Sequence, residues 1–176
     1  MTAAFRIATA TPADAAEIAA IYAHHVLHGT ATFETEPPDA AEIAARMEKV
    51  AASGGPWLTA RDPDGLLLGY GYAGRFHARE AYRFACEDSI YLHHDRLGQG
   101  IGTVLLKSLI EAAEAAGFRQ MIALIAGTEP ASTALHARAG FSDAGRLAAV
   151  GWKHGRWIDV LYMQRALGPG ETRPGT

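Results

Sequence analysis

The sequence predicts an α+β domain in which a mixed, mostly antiparallel central sheet is flanked by helices. Three observations carry this. Stretches with apolar residues at helical spacing interleave with short apolar runs of strand length. Two of those runs are joined by Asp62-Pro63-Asp64-Gly65, a turn suited to antiparallel neighbours. A third run ends in a glycine-rich turn that opens a helix, which places that strand near the centre of the sheet.

Taken in order, Phe5 to Ala8 reads as a short opening strand. Thr11-Pro12-Ala13-Asp14 is a helix start, with a cap, a proline in the first turn and an early acid. Ile18, Ile21, Tyr22 and Val26 then share one helical face. A polar, proline-containing stretch from Gly29 to Pro38 interrupts the pattern and is a candidate substrate loop, before Asp39 to Ala52 resumes it with Ile43, Met47 and Val50 inward.

Trp57 to Arg61 and Leu66 to Tyr72 form the hairpin, and Phe84 to Leu92 is the next strand. The helix after the glycine turn runs to about Ala116, with Ile101, Leu105, Leu109, Ala112 and Ala116 on one face and Gly117 as its stop. Met121 to Ile125 is a short buried-type strand and Ala131 to Ala139 a short helix ended by Gly140. Arg146 to Val150 and Ile158 to Gln164 make a final strand pair. Residues 1–167 are expected to be one domain, and the Pro- and Gly-rich residues 168–176 a disordered tail.

With 176 residues, 49% of them hydrophobic, the chain is long enough for one well-cored domain. Its 16 basic and 19 acidic residues leave a net charge of -3, without the basic stripe of a nucleic-acid binder, so no nucleic-acid partner is expected. No leader pattern and no apolar run of about 20 residues is present, so the expectation is a soluble, cytoplasmic protein without a membrane partner. Cys86 is the only cysteine, which excludes an internal disulfide and reads as a small buried hydrophobe.

The most informative run is Glu87 to Gly102, a strand holding a carboxylate followed by Gly98, Gly100 and Gly102. Glycines permit close approach of a ligand to the backbone, and the amides that open a helix are unpaired and favour an anion. A dinucleotide fingerprint needs a different third glycine position, which here is Thr103, and Arg119 and Gln120 stand where its ribose-binding acid would be. A P-loop needs a lysine where the chain has Gly102-Thr103-Val104. Taken alone, the turn suits a pyrophosphate and a plain flexible connection about equally.

Further blocks decide between them. Glu87 to Gly102, Leu135 to Phe141 and Gly151 to Val160 together resemble the GNAT superfamily of acetyl-CoA-dependent N-acetyltransferases. Within it the chain is similar to the phosphinothricin and methionine sulfoximine acetyltransferase group. Thr32 to Pro37, Pro56-Trp57-Leu58, and Ala73-Gly74 through Ala81-Tyr82 extend the resemblance from Phe5 to Leu167. It implies a GNAT-like fold and an acetyl-CoA co-substrate held by Leu97, Gly98, Gln99, Gly100, Ile101, Gly102 and Thr103. Ile90, Tyr91 and Leu92 would offer backbone groups to the pantetheine arm as a strand does, and Glu129 and Ser132 would complete that site. Leu97 departs from the family's glutamine or arginine, and Glu129 stands where related sequences often carry asparagine.

An ammonium has no lone pair, so amine acetylation needs a base. The resemblance implies Glu87 for that role, and His136 as the acid that meets the departing thiolate, with direct attack on the thioester and the Leu92 amide polarising its carbonyl. For a small amino-acid-like amine it points to Phe33 and Glu34, to Arg75, Phe76, His77, Arg79 and Tyr82, and to Lys153 and Trp157, the arginines suiting a carboxylate or phosphinate. His24, His28 and the His93-His94-Asp95 run raise a metal site, but their spacing matches no HExxH pattern and no metal is expected. A homodimer is expected, from the resemblance and the apolar final strands. The alternatives are a non-catalytic acyl-CoA-binding module, motivated by Leu97 and Glu129, and an acetyltransferase for another amine, a protein or an aminoglycoside.

Overall fold

The computed structural model describes residues 4–127 and 129–173. The elements follow in the order β1 (Arg6–Thr9), α1 (Ala15–His28), α2 (Ala40–Ala52), β2 (Trp57–Arg61), β3 (Leu67–Arg75), β4 (Ala85–Leu92), α3 (Ile101–Ala115), β5 (Gln120–Ala126), α4 (Pro130–Arg138), β6 (Ser142–Lys153) and β7 (Arg156–Ala166). The strands form one 7-stranded sheet in the order β1-β2-β3-β4-β5-β7-β6, which makes β4 central. Its pairings are antiparallel except that of β4 with β5.

Local chemistry fixes the entries. Asp14 takes the amide of Thr11 ahead of α1, and Asp39 caps α2 by accepting the Glu42 amide at 2.8 Å. Arg61 on β2 reaches Asp14 and Glu17, tying the start of α1 to the sheet. Gly65 takes φ +91 in the β2–β3 turn, where Asp62 Oδ1 accepts from the Leu66 amide.

Strand alternation divides the core between the two faces of the sheet. Trp57, Tyr70 and Tyr91 pack under Ile18, Tyr22, Ile43 and Met47 of α1 and α2. Leu58, Cys86, Met121 and Met163 pack under Leu105, Leu106 and Leu109 of α3, with Leu135 of α4 in the same layer. Cutting any of those fully buried leucines to alanine would cost about 2–5 kcal/mol. Cys86 is fully buried, and burial pushes its thiol pKa far up, so it packs as a hydrophobe.

The differences from the sequence reading are local. Ala113 rather than Ala116 completes the buried face of α3, because Ala116 lies past the last turn, at the helix C-cap. The last two strands are longer than the apolar runs that marked them, because β6 is exposed from Ser142 to Val150 and carries no alternation to read. The expected disorder from Gly168 is corrected as far as Arg173: Gly170–Thr172 form a 3-10 turn, with the buried Gly170 donating its amide to Leu167 O at 2.9 Å. Residues 174–176 of that tail lie outside the described residues.

Candidate active site

The site begins where the one parallel pairing fails. β4 and β5 are in register only from Ala85/Gln120 to Asp88/Ala123. Beyond this β4 continues along β3 to Leu92/Gly69, while β5 stays with β7 to Ala126/Val160. The two strands fork, and the space between them opens into a cleft of about 650 Å³. The His93 amide bonds to Leu68 O on β3, so by alternation the backbone groups of Ile90 and Leu92 face the fork and those of Tyr91 belong to the β3 ladder. His25 of α1 donates its Nε2–H to the Leu92 carbonyl at 2.8 Å, which leaves the Leu92 amide and both backbone groups of Ile90 for a ligand. Burial lowers the pKa of His25, keeping it a neutral donor.

The glycine turn forms one mouth of the cleft. Gly98 and Gly100 take φ +73 and +80, backbone that a side chain resists, whereas Gly102 is ordinary helix. Gly100 is the N-cap of α3 and has no side chain to offer, so the helix opens beside the cleft without a side-chain cap, an arrangement that favours an anion. Of the residues expected to hold the co-substrate, Leu97, Gly98, Gly100, Ile101, Gly102 and Thr103 line the cleft and Gln99 does not. Ile90, Tyr91 and Leu92 form its β4 wall, and Glu129, the N-cap of α4, faces them with Ser132 and His136. Sequence reasoning missed Thr30, Ala31 and Ser89, although the first two belong to the loop it marked for substrate.

Two neighbouring carboxylates of β4 fall on opposite faces of the sheet. Glu87 sits between Gly74 of β3 and Ile122 of β5, half-buried, and burial followed by repulsion from Asp88 raises its pKa. Asp88, which the sequence reading passed over, has a side chain only 2% exposed and accepts from His136 Nε2 at 3.0 Å through Oδ2. The other ring nitrogen of His136 donates to Ser132 O at 2.8 Å. Burial lowers the pKa of His136, but the hydrogen bond and charge of Asp88 and the Ser132 carbonyl outweigh it, so the net shift is upward and favours the imidazolium.

The expected substrate residues separate into two groups. In the first, Glu34 accepts from Tyr22 Oη at 2.8 Å and pairs with Arg46 at 2.7 Å. Lys153, only 4% exposed, donates to Thr32 O at 2.8 Å, and burial lowers its pKa. The Phe33 ring lies so close to Gly151 that a Cβ there would come within 2.3 Å of it, so only glycine fits under the loop. In the second group, Phe76 and Tyr82 line a separate cavity of about 510 Å³ with Ile122 and Tyr162. Arg75 pairs with Glu80 at 2.8 Å, and His77 Nδ1 accepts the Arg79 amide at 3.1 Å while the Arg79 side chain is exposed. Trp157 joins neither group: it is 64% exposed and packs on Trp152 at the hairpin tip. His93, His94 and Asp95 bring their ligand-type atoms within 4.8 Å of one another on the surface, the one such cluster among the described residues, and hold no buried carboxylate or cysteine.

Residues 7–162, which include the forked β4–β5 pair and the glycine turn at its mouth, match the family described as acetyltransferase (GNAT) domain. The chain belongs to the GNAT acetyltransferase family. It is 51% identical over 160 residues to a phosphinothricin N-acetyltransferase of Alcaligenes faecalis, covering 90% of this chain and 81% of that protein. It is 40% identical over 162 residues to an L-methionine sulfoximine/L-methionine sulfone acetyltransferase of Pseudomonas paraeruginosa, covering 92% of this chain and 94% of that one. The crystal structure of a phosphinothricin acetyltransferase from Sinorhizobium meliloti in complex with acetyl-CoA superposes with a TM-score of 0.95 at 47% identity, covering 100% of this chain and 94% of that chain.

Proposed function

We propose that this protein transfers the acetyl group of acetyl-CoA to the amino group of a small amino-acid-like substrate of the phosphinothricin or methionine sulfoximine type. The observation that carries the reading is the fork, which presents unpaired strand amides and a helix N-terminus along one continuous cleft. The pantetheine arm adds to β4 as a strand would, and the pyrophosphate sits on the amides after Gly100. Leu97 costs the site little, because those contacts are made by the backbone.

Glu87 is the base in this reading. Its raised pKa makes it a better proton acceptor than an exposed carboxylate, and it must be ionised to act, so activity falls as pH drops through that raised value. The freed amine attacks the thioester carbonyl directly, its oxygen polarised by the Leu92 amide. The thiolate of coenzyme A is a far weaker base than an amide anion or an alkoxide and leaves without a strong acid. His136, for which an acid role was expected, already has acceptors on both ring nitrogens and serves as a clamp. In this reading Lys153, Glu34 and Phe33 from the loop and the hairpin, and Arg75, Phe76, His77, Arg79 and Tyr82 from the end of β3 and its connection to β4, select the amino acid.

We further infer a cytoplasmic homodimer. Among the described residues no helix is long and apolar enough to cross a membrane. The exposed Leu147, Val150, Trp152 and Trp157 on the β6–β7 edge suit burial against a second copy. The test of function is coenzyme A release over a panel of amines. Turnover is expected with phosphinothricin and methionine sulfoximine and not with aminoglycosides. Tight acetyl-CoA binding without turnover of any amine would instead support a non-catalytic module.

A further inference from the structure

We infer that Asp88 is a positioning residue for acetyl transfer, acting through His136 to hold helix α4 against the fork and standing as a fixed charge behind Glu87. The inference rests on the reading of Glu87 as the base.

The geometry is specific. Asp88 and Ala123 are the last paired residues before β4 and β5 part, so the Asp88 side chain leaves the sheet at the apex of the fork. It is buried, and one of its oxygens is bound by a residue 48 positions away on α4, while Oδ1 has no partner among the described residues. Ser132 and His136, both walls of the cleft, are linked to each other and to Asp88 by consecutive hydrogen bonds. On α4 His136 is the one buried residue, while Leu135 is partly buried against the core and Arg165 bonds the Ala139 carbonyl at the helix end. The pair therefore sets how far the α4 wall stands from the backbone of Ile90 and Leu92.

The second effect follows from strand alternation. Consecutive residues put Asp88 and Glu87 on opposite faces of one strand, so Asp88 takes no part in the chemistry yet lies within electrostatic range of the base through a buried sheet. Among the described residues the titratable groups facing Asp88 are His136 of α4, which is bonded to it, and Cys86 and Glu87 of its own strand. Removing the carboxylate while keeping its shape therefore acts on both the cleft wall and the base.

The experiment compares the wild type with Asp88→Asn. The ring nitrogens of His136, read by ¹⁵N NMR, are expected to report imidazolium in the wild type at pH 7, and neutral imidazole in the variant, where burial acts without the carboxylate. In the pH profile of kcat/KM the acid limb of Asp88→Asn is expected to move modestly to lower pH, because the like charge that Glu87 loses sits on its strand neighbour, while the imidazolium charge lost with it stands farther off on α4. The KM for acetyl-CoA should rise several-fold while that for the amine stays level. A neutral His136 in the wild type, or an acid limb and acetyl-CoA KM unchanged in a folded Asp88→Asn protein, would overturn the inference, since a merely structural carboxylate would lower the melting temperature and move neither. If the variant fails to fold, the wild-type resonance still decides the pair. If the wild type turns over no amine, the acetyl-transfer reading fails by itself, and the same resonance separately decides whether Asp88 holds His136.

Discussion

The cleft at the fork and the face that carries Glu87 are built from different materials. The cleft is mostly backbone: two glycines at positive φ, an uncapped helix start, and strand groups released when β4 leaves β5. The Glu87 face is mostly side chains delivered by a loop, a strand connection and a hairpin, among them Glu34, Lys153, Phe76 and Tyr82. Backbone recognition tolerates a change of side chain, so Leu97 can replace the family's usual residue without dissolving the site. Side-chain recognition does not, and the amine specificity of such a protein is set by residues that substitution can alter one at a time.

That contrast yields graded predictions. The largest effect belongs to the chemistry: Glu87→Gln should lower kcat by about 10²–10⁴-fold with acetyl-CoA affinity retained, measured by coenzyme A release. Next comes the backbone. Gly100→Ala puts a Cβ on a left-handed residue at a cost of about 1–2 kcal/mol, a melting temperature lower by about 2–8 °C, and should raise the KM for acetyl-CoA alone. Lys153→Met leaves the buried Thr32 carbonyl unpaired, a penalty of about 1–3 kcal/mol, and should raise the amine KM roughly tenfold with the acetyl-CoA KM level. The smallest is Leu97→Arg, expected to tighten acetyl-CoA by only about two- to fivefold. A change of orders of magnitude there would mean that the cleft depends on side chains after all.

Much of this was legible in the sequence, and where it was not the reason is physical. The hairpin and the centrality of β4 follow from period and turn chemistry, which are local, whereas a ligand role for Leu97 to Thr103 came only with the family resemblance. The length of β6 was hidden because an exposed edge strand has no buried face to leave an alternating pattern. Asp88 was hidden because its meaning lies in a partner 48 residues away, and beside Glu87 it reads as one more acid. His25 was hidden in the same way: its bond to Leu92 O spans 67 residues. Of the three alternate glycines only Gly98 and Gly100 take positive φ, because Gly102 is already inside α3.

The central claim is that Glu87 accepts the proton of the attacking amine beside the acetyl-CoA cleft. The direct measurement is the pH dependence of turnover for the wild type and Glu87→Gln at saturating acetyl-CoA. The wild type should show an acid limb displaced upward from that of an ordinary glutamate and then a plateau. The variant should lack that limb and climb about tenfold per pH unit toward the pKa of the amine, as an unassisted reaction does. An acid limb of the same position in Glu87→Gln would contradict the account.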